Sequence, residues 1–128
     1  MTNKKKTVLV VEDDMLLLNL LSDRFEEEKY RVLRASDGEE ALRMLFDEKP
    51  DVILLDLLLP KLDGFEFLEK IKKSANPEVE RSKVIVLSNL WENEYIIKAK
   101  AYLQVEEYLV KANTTVEQII SKVKQQLA

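Results

Sequence analysis

Asp51-Val-Ile-Leu-Leu-Asp56-Leu-Leu-Leu-Pro60-Lys-Leu-Asp63-Gly64 opens with an apolar run of strand length and closes on a proline-to-glycine turn signal. Val52 to Asp56 is too short for a buried helix and reads as a fully buried strand. Its last residue is a carboxylate. Such a strand, followed by a loop, places an acid at the carboxyl edge of a sheet, where open α/β folds keep their ligands. Asp56 is therefore a functional candidate, with a cap for the next helix as the alternative. The choice turns on whether other chemical groups converge on the same edge.

Strands and helices alternate on either side of this stretch. Thr7 to Val11 is a β-branched run and reads as the first strand; from Asp14 helical spacing takes over, with Leu17, Leu21 and Phe25 on one stripe. Tyr30 to Ala35 forms a second strand. Ser36 with Glu39 has the spacing of a capping box for a helix that buries Ala41, Leu42, Leu45 and Phe46. Asp63 with Glu66 repeats it for a helix with Phe65, Leu68 and Ile71, ending near Ser74, and Asn76-Pro77 breaks that helix. Val84 to Ser88 is the fourth strand. Asn89 with Glu92 has cap spacing for a helix carrying Ile96, Ala99 and Leu103, after which Glu107 to Val110 is the fifth strand. Thr114 with Glu117 is the cap expected for the last helix, whose stripe is Val116, Ile119, Ile120, Val123 and Leu127. Strict alternation implies a parallel sheet with right-handed crossovers and helices on both faces, a small doubly wound domain.

Composition narrows the chemistry. The 128 residues, 46% hydrophobic, suit one globular unit over residues 1–128 with a single core and no appended effector. Cysteine and histidine are both absent, which excludes disulfides, thiolate or imidazole metal sites, a histidine-based triad and phosphohistidine on this chain. A net charge of −4 offers no footprint for nucleic acid, and Lys4-Lys5-Lys6 reads as a solvated end. No run approaches a membrane span or a signal peptide, so a cytoplasmic location without membrane contact is expected.

Polar residues gather where the strands stop. The first strand runs into Glu12-Asp13, the third into Asp56, the fourth into Ser88 and the fifth into Lys111. Each alone has an innocent role as a cap or a solvated loop residue; together they set three acids, a hydroxyl and a base on one edge. Carboxylates about 4 Å apart repel by about 4 kcal/mol at an effective dielectric near 20, so the acids call for a counter-charge. Magnesium suits them, because it takes oxygen ligands and is held by one or two carboxylates plus phosphate oxygen. Asp56 is then suited to act as a nucleophile toward phosphorus, with Lys111 and Ser88 cradling the phosphoryl oxygens.

Leu9-Val-Val-Glu12-Asp13-Asp14, Leu55-Asp56-Leu-Leu-Leu-Pro60-Lys-Leu-Asp63-Gly64, Val86-Leu-Ser88 and Tyr108-Leu-Val-Lys111 resemble, in order, the signature motifs of response-regulator receiver domains of two-component signalling, including stand-alone chemotaxis receivers. The resemblance covers nearly the whole chain. It implies the flavodoxin-like (βα)5 fold with a five-stranded parallel sheet in the order 2-1-3-4-5. It also implies that Asp56 is the phosphoacceptor, and that Asp13 and Asp56, with the Leu58 backbone carbonyl and with Glu12 through water, hold Mg2+. Ser88 would be the switch hydroxyl, Lys111 the phosphate-binding lysine, and Tyr108 the aromatic whose rotamer follows phosphorylation. The implied function is that of a stand-alone response regulator, a signalling phosphoacceptor and not an enzyme. Its implied partners are a sensor histidine kinase or histidine phosphotransfer protein as donor, and a protein effector that the sequence does not identify.

Three positions depart from the family pattern. Ala112 stands where a proline, often in a cis peptide, is usual; Asn89 replaces a small residue; Tyr102-Leu-Gln-Val105 lacks a glycine. Trp91, Tyr95 and Tyr108 fall on the implied output face, although a lone tryptophan near a helix start more often packs on its own fold. Met15 and Leu18 suit either a donor-docking surface or the core. A phosphorylation-independent binding module, or pseudo-receiver, is the alternative reading, and the retained Asp56, Ser88 and Lys111 argue against it. A hydrolase with an aspartyl nucleophile would need a second aspartate at position 58, which is leucine.

Overall fold

Five parallel strands form one sheet: β1 (Thr7–Val11), β2 (Arg31–Ala35), β3 (Val52–Leu55), β4 (Lys83–Ser88) and β5 (Val105–Val110), in the order β2-β1-β3-β4-β5. The structure, a computed structural model, describes residues 4–128. The helices are α1 (Met15–Glu27), α2 (Gly38–Glu48), α3 (Gly64–Ser74), α4 (Pro77–Glu80), α5 (Asn93–Lys100) and α6 (Val116–Leu127), with a 3₁₀ turn at Lys111–Asn113. This is the expected doubly wound fold with the expected strand order.

Successive side chains of a strand point to opposite faces, so each central strand feeds two cores. Leu9, Val11, Ile53, Leu55, Val84 and Val86 pack with Ala41, Leu45, Phe67, Leu68, Ile71 and Ala99 on the side of α2, α3 and α5. Val8, Val10, Val52, Leu54, Ile85 and Leu87 pack with Leu18, Leu21, Phe25, Ile119, Ile120 and Val123 on the side of α1 and α6. Buried on both faces, these strands are continuous apolar runs that stop only at the sheet edge. That is why the polar residues collect there.

Local expectations shift at several ends. Asp37, not Ser36, caps α2: its Oδ1 accepts from Glu40 N–H at 2.8 Å, and Glu40 Oε1 accepts from Ser36 N–H. Thr115, not Thr114, caps α6 and forms the capping box with Gln118. The box of Asp63 and Glu66 is as expected. Asn76-Pro77 opens a helix as well as closing one, since Asn76 caps α4 and Pro77 occupies its first position. Phe65 packs half-buried against the core as expected while Phe67 is fully buried beside it, Phe46 is at the surface, and Leu103 lies beyond α5, 95% exposed. β5 starts two residues earlier than expected, with an irregularity where Val84 pairs with Val105 and Ile85 with Glu107. Trp91 is exposed at 67%, contrary to a packing role, whereas Leu18 is core and Met15 is exposed.

α1 and α6 are joined across their surfaces by Arg24, which donates to both oxygens of Glu117 at 2.8 and 2.9 Å, and by the ion pair Lys124–Glu28. The Arg24 hydrogen bonds hold the Glu117 carboxyl below its ordinary value, and Lys124 does the same for Glu28. A carboxylate with a depressed folded-state pKa stabilises the fold above its unfolded value and loses that contribution as pH falls through the folded value. The acid limb of the stability curve therefore carries a Glu117 component. Glu117→Gln is expected to flatten thermal stability below about pH 4.5 relative to wild type. Equal slopes in the two proteins would disprove the assignment.

No described helix is long and apolar enough to cross a membrane.

Candidate functional site

The sheet ladder carries the acids to their places. Glu12 N–H donates to Ala35 O at 3.0 Å and Asp56 N–H to Val11 O at 3.1 Å, so both residues extend the strand pairing by one step. Val11 is level with Leu55, and Leu55 with Val86. Glu12 and Asp56 therefore emerge side by side, 2% and 4% exposed, with exposed Asp13 on the solvent side. One carboxylate oxygen from each of the three lies within 4.8 Å of the others. The cluster expected from sequence is thus assembled.

Lys111, the residue after β5, reaches back across the edge. Its Nζ donates to Asp56 Oδ2 at 2.8 Å and lies 2.7 Å from Glu12 Oε1. The second contact is close in charge but misdirected, so Glu12 Oε1 is buried without a hydrogen bond. Glu12 Oε2 accepts from Asp14 N–H, and Asp56 Oδ1 from Leu58 N–H. Burial pushes the Glu12 carboxyl up, and Lys111 opposes this only in part. Burial draws Lys111 down, but its hydrogen bond to Asp56 and the close Glu12 carboxylate outweigh that and raise it overall.

Ser88 and Tyr108 come to the same edge. Ser88 is fully buried and its Oγ accepts from Leu90 N–H at 3.3 Å; the Tyr108 hydroxyl donates to Leu90 O at 2.6 Å. Burial, and then the carboxylates of Glu92 and Asp56, hold the Tyr108 phenol above its ordinary value. Asn89, expected as a helix cap, instead accepts on Oδ1 from Ala112 N–H at 3.1 Å, and Glu92, which stands at the N-cap of α5, makes no side-chain capping bond. The signal for that contact was alanine at 112, since a proline there has no N–H to give.

Three acids against one ammonium, with a buried oxygen lacking a directed donor, fit a hard divalent cation, which would take carboxylate oxygens and keep water on the exposed Asp13 side. The fold, with an acid cluster where the chain order reverses between β1 and β3, is of the flavodoxin-like class. The family model for the response regulator receiver domain matches residues 8–124, and the chain belongs to that family. It is 47% identical over 68 residues to the alkaline phosphatase synthesis transcriptional regulatory protein PhoP of Bacillus subtilis, covering 53% of this chain and 28% of that protein. Over 72 residues it is 42% identical to the probable transcriptional regulator ycf27 of Guillardia theta, covering 56% and 28%. The matches thus span little more than a quarter of these curated relatives. Among solved structures, the receiver domain of Francisella response regulator 1452 is 30% identical, with a TM-score of 0.83 over 95% of this chain and 96% of that one. A CheY-like receiver domain protein from Methanospirillum hungatei is 26% identical, with a TM-score of 0.85 over 97% and 94%. Receiver domains are signalling phosphoacceptors that bind Mg2+ at an acidic pocket and are phosphorylated by histidine kinases or phosphotransfer proteins.

Proposed function

We propose that residues 1–128 act as one receiver unit whose Asp56 takes a phosphoryl group from a phosphohistidine of a sensor kinase or phosphotransfer protein, and that the modified unit changes its affinity for a protein partner. The observation that carries this reading is the placement of Asp56: buried at 4%, between two further acids and a lysine, at the carboxyl edge of β3. In the transfer, one Asp56 carboxylate oxygen forms the new P–O bond while the donor imidazole nitrogen leaves with its electron pair and takes up a proton. Mg2+, held by Asp13, Asp56, the Leu58 carbonyl and Glu12, would neutralise charge on the transferring group. Lys111 turns its ammonium from the Asp56 carboxylate to a phosphoryl oxygen, and the buried Ser88 hydroxyl donates to another. Tyr108 reports on the same loop, because its hydroxyl is held by Leu90 O, two residues after Ser88. The bias toward the partner-binding state comes from these new contacts at Ser88 and Lys111.

Intact mass after incubation with acetyl phosphate and Mg2+ tests the proposal. A gain of one phosphoryl group is expected in wild type, with none in Asp56→Asn and none when the metal is chelated. An unmodified wild-type mass, with a known receiver labelled in parallel, would move the assignment to a binding module that works without phosphorylation.

A further inference from the structure

Two of the residues that depart from the family pattern touch each other. Asn89 lies in the loop that follows Ser88, and Ala112 follows Lys111; the hydrogen bond from Ala112 N–H to Asn89 Oδ1, at 3.1 Å, ties the two loops together. The bond needs both departures, an acceptor side chain at 89 and a backbone donor at 112 that proline would lack. The turn it holds is short: Thr114 N–H closes it on Lys111 O at 3.3 Å, and Thr114 Oγ1 donates to Val110 O at 2.7 Å. Fixing Ala112 thus fixes the root of the Lys111 side chain, while its tip rests on Glu12 and Asp56. Those are two of the three residues that would hold a cation. An ammonium at 2.7 and 2.8 Å from their oxygens already neutralises charge that a divalent ion would otherwise neutralise.

We propose that Asn89 is a positioning residue: through Ala112 it clasps the Lys111 turn, keeps the ammonium on Glu12 and Asp56, and so raises the Mg2+ concentration at which the acidic site fills. The inference rests on the reading of Glu12, Asp13 and Asp56 as the metal-holding set. Its direction follows from competition. Lys111 and a cation would neutralise the same two carboxylates, so a looser turn lets Lys111 swing off them at less cost and a cation bind more tightly. The clasp is one neutral, exposed hydrogen bond, whose worth corresponds to a change of about two- to tenfold in an equilibrium constant.

The test pairs Asn89→Leu, similar in size but without an acceptor, with Asn89→Asp, which keeps one. Two quantities are read. Amide hydrogen exchange at Ala112 and Thr114 in metal-free protein is expected to quicken in the Leu variant and stay near wild type in the Asp variant. Mg2+ titration by calorimetry is expected to give a Kd about two- to tenfold lower for Asn89→Leu than for wild type, and no such change when the same substitution is made in Lys111→Met. Unchanged exchange at Ala112 would overturn the clasp. A Kd shift that persists without Lys111, or no shift where wild type binds Mg2+, would overturn its action through the lysine. If wild type takes up no Mg2+, the reading of the acids as a metal site fails and the proposed threshold with it, while the exchange data still decide whether Asn89 holds the turn.

Discussion

Lys111→Met should lower the unfolding free energy by about 3 kcal/mol in chelated buffer, and added Mg2+ should restore much of the loss. Among the described residues the side chain is the only cation paired with Glu12 and Asp56, which are 2% and 4% exposed. Removing one partner of a buried ion pair typically costs about 3–5 kcal/mol because a charge is left unmatched in low dielectric. The lower end applies here, since the Lys111 side chain retains 19% exposure and water reaches the cluster from the Asp13 side. A divalent ion can take over the neutralising role. Binding to the folded state alone adds about 2.7 kcal/mol at a hundred times the Kd, so the variant's midpoint should depend on Mg2+ more steeply than that of wild type. Adding Asp56→Asn to Lys111→Met should recover stability in chelated buffer, because it removes one of the two stranded acids. Urea denaturation with and without Mg2+ measures all three proteins. A Lys111→Met protein as stable as wild type in chelator would mean that the acids do not depend on the lysine.

The same burial explains why the site was readable from sequence. A parallel sheet covered on both faces makes its strands apolar throughout, so Asp56, Ser88 and Lys111 stand out where the apolar runs stop, and no contact information is needed to place them on one edge. The helix ends were harder for a physical reason. Ser36-Asp37-Gly38-Glu39-Glu40 and Thr114-Thr115-Val116-Glu117-Gln118 each contain two overlapping pairs with capping-box spacing, and local propensity does not choose between them. Tertiary contacts do. Glu117 is drawn to Arg24 on α1, leaving Gln118 to complete the box with Thr115. Asn89 is drawn to Ala112 across the site in place of capping α5. Pro77 read as a breaker because its missing N–H ends a helix, yet the same property suits the first turn of α4. At the caps of α5 and α6 the local sequence offers more than one polar candidate, and the partner that decides among them comes from elsewhere in the chain.

One of those overlapping choices is enforced by steric contact, and its test is severe. Gly38 opens α2 directly beneath the loop between β3 and α3, and its N–H donates to Pro60 O at 3.4 Å. A Cβ built there overlaps the Leu62 carbonyl oxygen outright and comes within 2.6 Å of its carbon and 2.7 Å of its Cβ. The obstruction is mostly backbone, so no rotamer change relieves it; either α2 or the loop carrying Leu62 has to move. At Gly64 the added Cβ would meet Leu57 Cα at 2.6 Å, the buried Leu57 side chain at 2.8 Å and Asp56 O at 2.9 Å, a less severe approach than the outright overlap at Gly38. Against these clashes stands the gain of about 0.5–1 kcal/mol that alanine brings to a helical position through lower backbone entropy in the unfolded chain. Overpacking of a well-filled site costs about 1–3 kcal/mol and occasionally more. For Gly38→Ala the clash wins, with an expected net loss of about 3 kcal/mol; for Gly64→Ala the loss is about 1–2 kcal/mol. Because α2 and the loop after Asp56 must part to admit the methyl group, Gly38→Ala should also weaken the proposed Mg2+ binding at Asp56, although Gly38 is not among the residues proposed to hold the ion. Urea midpoints at unchanged slope give the ranking. A Gly38→Ala protein at least as stable as wild type would show that α2 can start without resting on Leu62, and the capping register at Asp37 would then need another cause.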